Sequence, residues 1–165
     1  MRLFLPDYTA TENLGHSIAR AIQAHGVPVP VFFYGELGAG KTTLAGALAR
    51  ALPGGKDAEI SSPSFTLCNM YPTVPPIAHF DLYRQENGSA DESLLDFLDG
   101  ERHVVLVEWA ERLPRFALPP NRLSVLLTAD GGGRTVAIKA HGSDAAAFLR
   151  VLETETASAG INPKH

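Results

Sequence analysis

The sequence predicts an α/β fold of three layers, with helices packed on a central mixed β-sheet. Three observations lead there. An apolar strand runs into a glycine-rich loop and then into a helix, the order of a parallel strand-helix unit. Further apolar runs of strand length follow, bounded by Gly, Pro, Asn and Asp clusters. The strands expected between Phe65 and Leu82 have no helix between them, so they must include an antiparallel pair, and the sheet is mixed.

Taken in order, Arg2 to Leu5 is a short first strand, and Thr11 to His25 sets Leu14, Ile18, Ala21 and Ile22 at helical spacing, with Thr9 or Thr11 as N-cap. Val29 to Tyr34 is β-branched and aromatic, as a buried parallel strand requires. Lys41 to Leu52 is built from good helix formers and stops at Pro53-Gly54-Gly55. Strands are expected at Phe65 to Tyr71, Ile77 to Leu82 and Val104 to Val107, with a short helix at Asp91 to Leu98. Arg122 to Thr128 and Arg134 to Ala140 flank Asp130-Gly131-Gly132-Gly133 and form a hairpin. Residues 154–165, rich in Thr, Ser, Ala and Gly, lack periodicity, so one domain is expected over residues 1–153 and a flexible tail over 154–165.

Gly35 to Thr42, GELGAGKT, has the spacing GxxxxGK[ST] between that strand and that helix. Its backbone N–H groups can wrap phosphates, and the helix that starts near Lys41 adds its positive end. The sequence therefore specifies a three-layer P-loop NTPase domain. Lys41 is expected on the β- and γ-phosphates and the Thr42 hydroxyl on a bridging Mg²⁺, with Thr43 near the α-phosphate. Leu37, Gly38, Ala39 and Gly40 complete the cradle.

Such a loop needs a carboxylate from a neighbouring strand to hold the metal or a water. Two lie at the ends of apolar runs, Asp81 after IAHF and Glu108 after HVVLV. Glu108 is assigned to magnesium and Asp81 to the γ-phosphate side, where it would orient the attacking water. Trp109 reads as a half-buried packing residue that could also report on the site, and His79 as a satisfied structural histidine. Arg134, after the glycine run, could approach the nucleotide, although its ordinary reading is a surface charge.

A formal net charge of −4 provides no basic footprint for tight binding to a nucleic-acid backbone. The single cysteine, Cys68, cannot form an internal disulfide, and the apolar run at the N-terminus is too short for a signal peptide or membrane span. A cytoplasmic protein without membrane contact is expected. The stretch Glu86 to Glu101 holds Glu86, Asp91, Glu92, Asp96, Asp99 and Glu101 without Lys or Arg, a solvated face or a docking surface for a partner.

Four blocks together, GELGAGKTT from Gly35, SSPSFTL from Ser61, HFDLYR from His79 and EWAERL from Glu108, resemble the TsaE (YjeE-type) P-loop ATPases in order and spacing. TENLG, Thr11 to Gly15, is similar to the family's T-x-x-LG segment, in which the threonine lies close to the nucleotide. The family's usual SPTF is SPSF here and its EWPE is EWAE. Ser64 keeps the hydroxyl, and Ala110 removes no chemistry. The resemblance implies Mg²⁺-dependent ATP hydrolysis in support of TsaB and TsaD, which form threonylcarbamoyladenosine at position 37 of tRNAs reading ANN codons. It also implies that Ser62 to Phe65 responds to the γ-phosphate as a switch.

Two other classes fit the loop. A small P-loop kinase would pass the γ-phosphate to a metabolite and would need an arginine-rich lid, for which Arg112, Arg115 and Arg122 are the available residues. A nucleotide-gated interaction subunit would bind ATP with negligible turnover. No Asn-Lys-x-Asp segment is present to read guanine, which argues against a GTPase. No arginine is obviously placed as a finger, so slow basal turnover that rises with partners is expected.

Overall fold

The computed structural model describes residues 1–56 and 61–161. Among these, seven strands, β1 (Arg2–Leu5), β2 (Val31–Tyr34), β3 (Cys68–Tyr71), β4 (Ile77–Asp81), β5 (Val104–Glu108), β6 (Arg122–Asp130) and β7 (Gly133–His141), form one sheet in the order β1-β7-β6-β2-β5-β4-β3. The inner strands β6, β2, β5 and β4 run parallel, whereas β1, β7 and β3 are antiparallel to their neighbours. The mixed sheet deduced from the missing helix between β3 and β4 is therefore present.

Alternation along the inner strands sorts their side chains onto two faces. Val31, Phe33, Ile77, Val104 and Leu106 join a core with the helices α1 (Tyr8–His25), α2 (Lys41–Ala51) and α4 (Ser143–Ser158). Phe32, Ala78, Phe80, Val105 and Val107 join a smaller core with α3 (Glu92–Asp99) and two 3-10 turns, Ala110–Arg112 and Arg115–Ala117. By the same parity His79, Asp81 and Glu108 emerge on the α1/α2 side. On that side α1 and α2 approach so closely that a β-carbon on Gly15 would lie 2.5 Å from Ala47 Cβ.

Four expectations are corrected. Helix α1 starts earlier than Thr11 because Asp7, not Thr9 or Thr11, caps it, its carboxylate accepting from Ala10 N–H at 2.8 Å. Strand β2 starts at Val31 rather than Val29; Pro28 and Pro30 have no N–H to add to a ladder. Strand β3 begins only at Cys68, because Pro63 O accepts from both Thr66 N and Leu67 N and folds the preceding residues into a turn that leaves Leu67 at φ 67°. The tail expected from residue 154 is helical through Ser158, with Thr156 and Ile161 buried; its last residues, 162–165, lie outside the described residues. Ala145, Phe148, Leu152 and Thr156 form the buried stripe of α4. No described helix is long and apolar enough to cross a membrane.

Candidate active site

Strand β2 runs into the loop of residues 35–40, and α2 begins at Lys41, so the first-turn N–H groups of the helix face the loop. Gly40 precedes the helix at φ 102°, a conformation that side chains with a β-carbon rarely adopt. Space is also closed there: a β-carbon on Gly40 would lie 2.9 Å from the Arg134 guanidinium. Arg134 in turn donates to the Thr11 hydroxyl at 3.5 Å, which brings α1 and β7 to the same edge of the loop.

The Lys41 ammonium is buried under the loop, donating to Gly35 O at 2.6 Å and Glu36 O at 2.9 Å. Its Nζ lies 3.8 Å from the centre of the Trp109 ring, a cation–π contact. Burial pushes its pKa below the usual lysine range, while Glu108, Glu111 and Asp81 pull it back upward. A phosphate entering the loop would offer this cation stronger acceptors than neutral carbonyls.

The two strand-end carboxylates are register partners, Asp81 on β4 opposite Glu108 on β5, and both are buried. Glu108 Oε2 accepts from the Thr42 hydroxyl at 2.8 Å, and Oε1 lies 2.9 Å from His79 Nε2. Asp81 Oδ1 accepts from Tyr83 N–H at 2.8 Å, and Oδ2 accepts from the Ser62 hydroxyl. Each carboxylate oxygen thus has a donor, as buried anions require.

Lys41, Thr42, Thr43, Asp81 and Glu108 line one cleft of about 350 Å³ together with Leu37, Gly38 and Gly40. Ala39 does not face it; with Gly35 and the Leu126 to Ala129 stretch of β6 it lines a separate hollow. Thr11 and Arg134 also lie outside the cleft, on the far side of Gly40. Sequence reasoning gave no site role to Tyr83 and Arg84, which line the cleft, although they directly follow Asp81. Arg84 stacks over exposed Phe65, 4.2 Å from its ring centre. Ser62, Ser64 and Trp109 line the cleft as well, so Trp109, half-buried as expected, packs against the site itself. The arginine segment between β5 and β6 forms short turns, with Arg112 donating to Gln85 O and Arg122 to Pro119 O, a connector rather than a lid.

The profile of a family described as "Threonylcarbamoyl adenosine biosynthesis protein TsaE" matches residues 5–136. The chain belongs to the TsaE family. It is 36% identical over 146 residues to the tRNA threonylcarbamoyladenosine biosynthesis protein TsaE of Nostoc sp., a match spanning 83% of this chain and 84% of the relative. The TsaE of Synechocystis sp. is 37% identical over 120 residues, 70% of this chain and 73% of that one. The crystal structure of Bacillus subtilis YdiB superimposes with a TM-score of 0.73 at 25% identity, covering 93% of this chain and 94% of the other. In this TsaE-family chain Lys41 of the phosphate loop and Asp81 of the HFDLYR block, 40 residues apart in sequence, meet in one cleft.

Proposed function

We propose that this chain is a Mg²⁺-dependent ATPase that works in the cytoplasm with TsaB and TsaD to support threonylcarbamoyladenosine formation on tRNA. The observation that carries the reading is the convergence of the loop, Lys41, Thr42, Asp81 and Glu108 on one cleft at the carboxyl ends of β2, β4 and β5.

In this reading the ATP phosphates lie in the Gly35 to Thr43 loop and Lys41 leaves the loop carbonyls for the β- and γ-phosphates. Thr42 and Glu108, already 2.8 Å apart, are the oxygen donors that would hold magnesium, which neutralises charge on the phosphates when bound. Among the described residues no three His, Cys, Asp or Glu side chains could hold a metal together. The nucleotide and water would therefore complete the shell, as is usual for magnesium. Asp81 orients the water that attacks the γ-phosphorus as its bond to the bridging oxygen breaks, releasing ADP and phosphate. Thr11 and Arg134 flank the loop on the nucleoside side.

Phosphate release from MgATP, by the chain alone and with TsaB and TsaD, tests this, with Lys41→Ala as control. Slow turnover that rises with the partners and vanishes in the control is the expected result. Turnover indifferent to the partners, or phosphate appearing on a small metabolite, would overturn it.

A further inference from the structure

A line of polar side chains runs from the backbone at Ser61 to the phosphate loop. The Tyr71 hydroxyl lies 3.2 Å from both Ser61 O and His79 Nδ1. His79 Nε2 lies 2.9 Å from Glu108 Oε1, and Glu108 Oε2 receives the Thr42 hydroxyl at 2.8 Å. The His79 side chain has no exposed surface and Glu108 only 2%, so no solvent can replace the contact between them.

Chemistry fixes the direction of the link between His79 and Glu108. An ionised carboxylate only accepts, so His79 Nε2 donates to Glu108 Oε1, while the Tyr71 hydroxyl, whose single proton goes to Ser61 O, lies against the Nδ1 edge of the ring. A carboxylate held at one oxygen can no longer rotate freely about its terminal bond. The other oxygen is then committed to Thr42, where the metal is expected.

Resting on the ATPase reading of the cleft, we propose that His79 is a positioning residue that presents Glu108 Oε2 to the magnesium site. Tyr71 ties that presentation to the Ser61–Ser62 segment. The same segment holds the other carboxylate, because the Ser62 hydroxyl donates to Asp81. The two strand-end carboxylates are thus set from one short segment, Asp81 directly and Glu108 through Tyr71 and His79. A displacement of that segment on nucleotide binding would reach both.

The test is equilibrium binding of the fluorescent analogue mant-ATP to the full chain across a magnesium titration. Each variant's midpoint is read against its own affinity without magnesium. His79→Leu should raise the midpoint about 10- to 100-fold, the usual penalty for losing a partner that orients a metal ligand. His79→Gln, whose amide N–H can reach Glu108, should restore it to within roughly threefold. Tyr71→Phe should fall between them. An unchanged midpoint in His79→Leu, or equal shifts in His79→Leu and His79→Gln, would overturn the proposal, since packing alone would then explain the effect. If His79→Leu does not fold, His79→Asn replaces it; its amide is too short for Glu108, and a midpoint equal to that of His79→Gln counts against the proposal. A wild-type chain that binds no mant-ATP at all would overturn the ATPase reading. Magnesium-dependent binding indifferent to His79 overturns this inference alone.

Discussion

On the face covered by α1, α2 and α4 the core extends from Leu3 through Phe33 and Leu48 to Ile161, while on the face covered by α3 it is confined to Phe32, Ala78, Phe80 and a few neighbours. The phosphate loop, Lys41, Asp81 and Glu108 all rise from the thicker side. Ser62, Tyr83, Arg84 and Trp109, which also line the cleft, sit on connecting segments outside the strands and helices. The difference teaches how a P-loop fold divides its labour. Groups that must not move are anchored in the larger core, and those that could answer a ligand hang on segments that need less energy to open.

Five tests would break or sharpen this contrast. The largest effect is expected from Phe148→Ala, which empties a fully buried site on the thick face and should cost about 3–5 kcal/mol of stability by chemical denaturation. Leu94→Ala on the eight-residue α3 should cost less, about 2 kcal/mol, the low end for such truncations. Equal costs would erase the distinction.

Lys41→Ala should lower ATP turnover on the order of 10²- to 10³-fold in a phosphate-release assay, the usual loss for one preorganised charge-stabilising donor. Its unfolding midpoint should move less than that of either core variant, because the partners of Lys41 are carbonyls of a surface loop.

Cys68, on the edge strand β3, packs against the thin-face core, and burial pushes its thiol up to about 11. At pH 8 it should therefore react about 100-fold more slowly with a disulfide reagent than an ordinary thiol, in proportion to its thiolate fraction. The folded state holds this proton more tightly than the unfolded state does. The resulting stability is complete below the ordinary value of 9.0 and lost as pH rises toward 11. Fast labelling at neutral pH would mean that the thin face opens readily. The smallest effect is that of Asp7→Ala, which removes the α1 cap and should cost about 1 kcal/mol in thermal unfolding.

Much of the thick-face machinery was legible because its signals are local. The strand, glycine loop and Lys41 helix follow one another along the chain, and β1 and the hairpin turn fall where composition places them. Helix α4 was missed because two of its four buried positions are Ala145 and Thr156, too weakly apolar to register as a stripe until β7 and α1 pack on them. The turn that delays β3 depends on Pro63 O, a backbone acceptor that no residue pattern advertises. In the site, Asp81 and Glu108 were found from their strand-end positions. The link from His79 to Glu108 was not, because it rests on a contact 29 positions away. Trp109 reads as a packing residue able to report on the site, but its contact with Lys41, 68 positions away, is not visible in the sequence.

The Arg134 guanidinium packed against Gly40 bears on any redesign of the loop. Two separate locks exclude a side chain at that glycine: the left-handed backbone at φ 102°, and an arginine from a strand more than ninety residues downstream. Trimming Arg134 would release only the second. A library that varies residue 40 together with residue 134 should therefore still return glycine at 40, while accepting smaller residues at 134 wherever the nucleotide does not need the guanidinium.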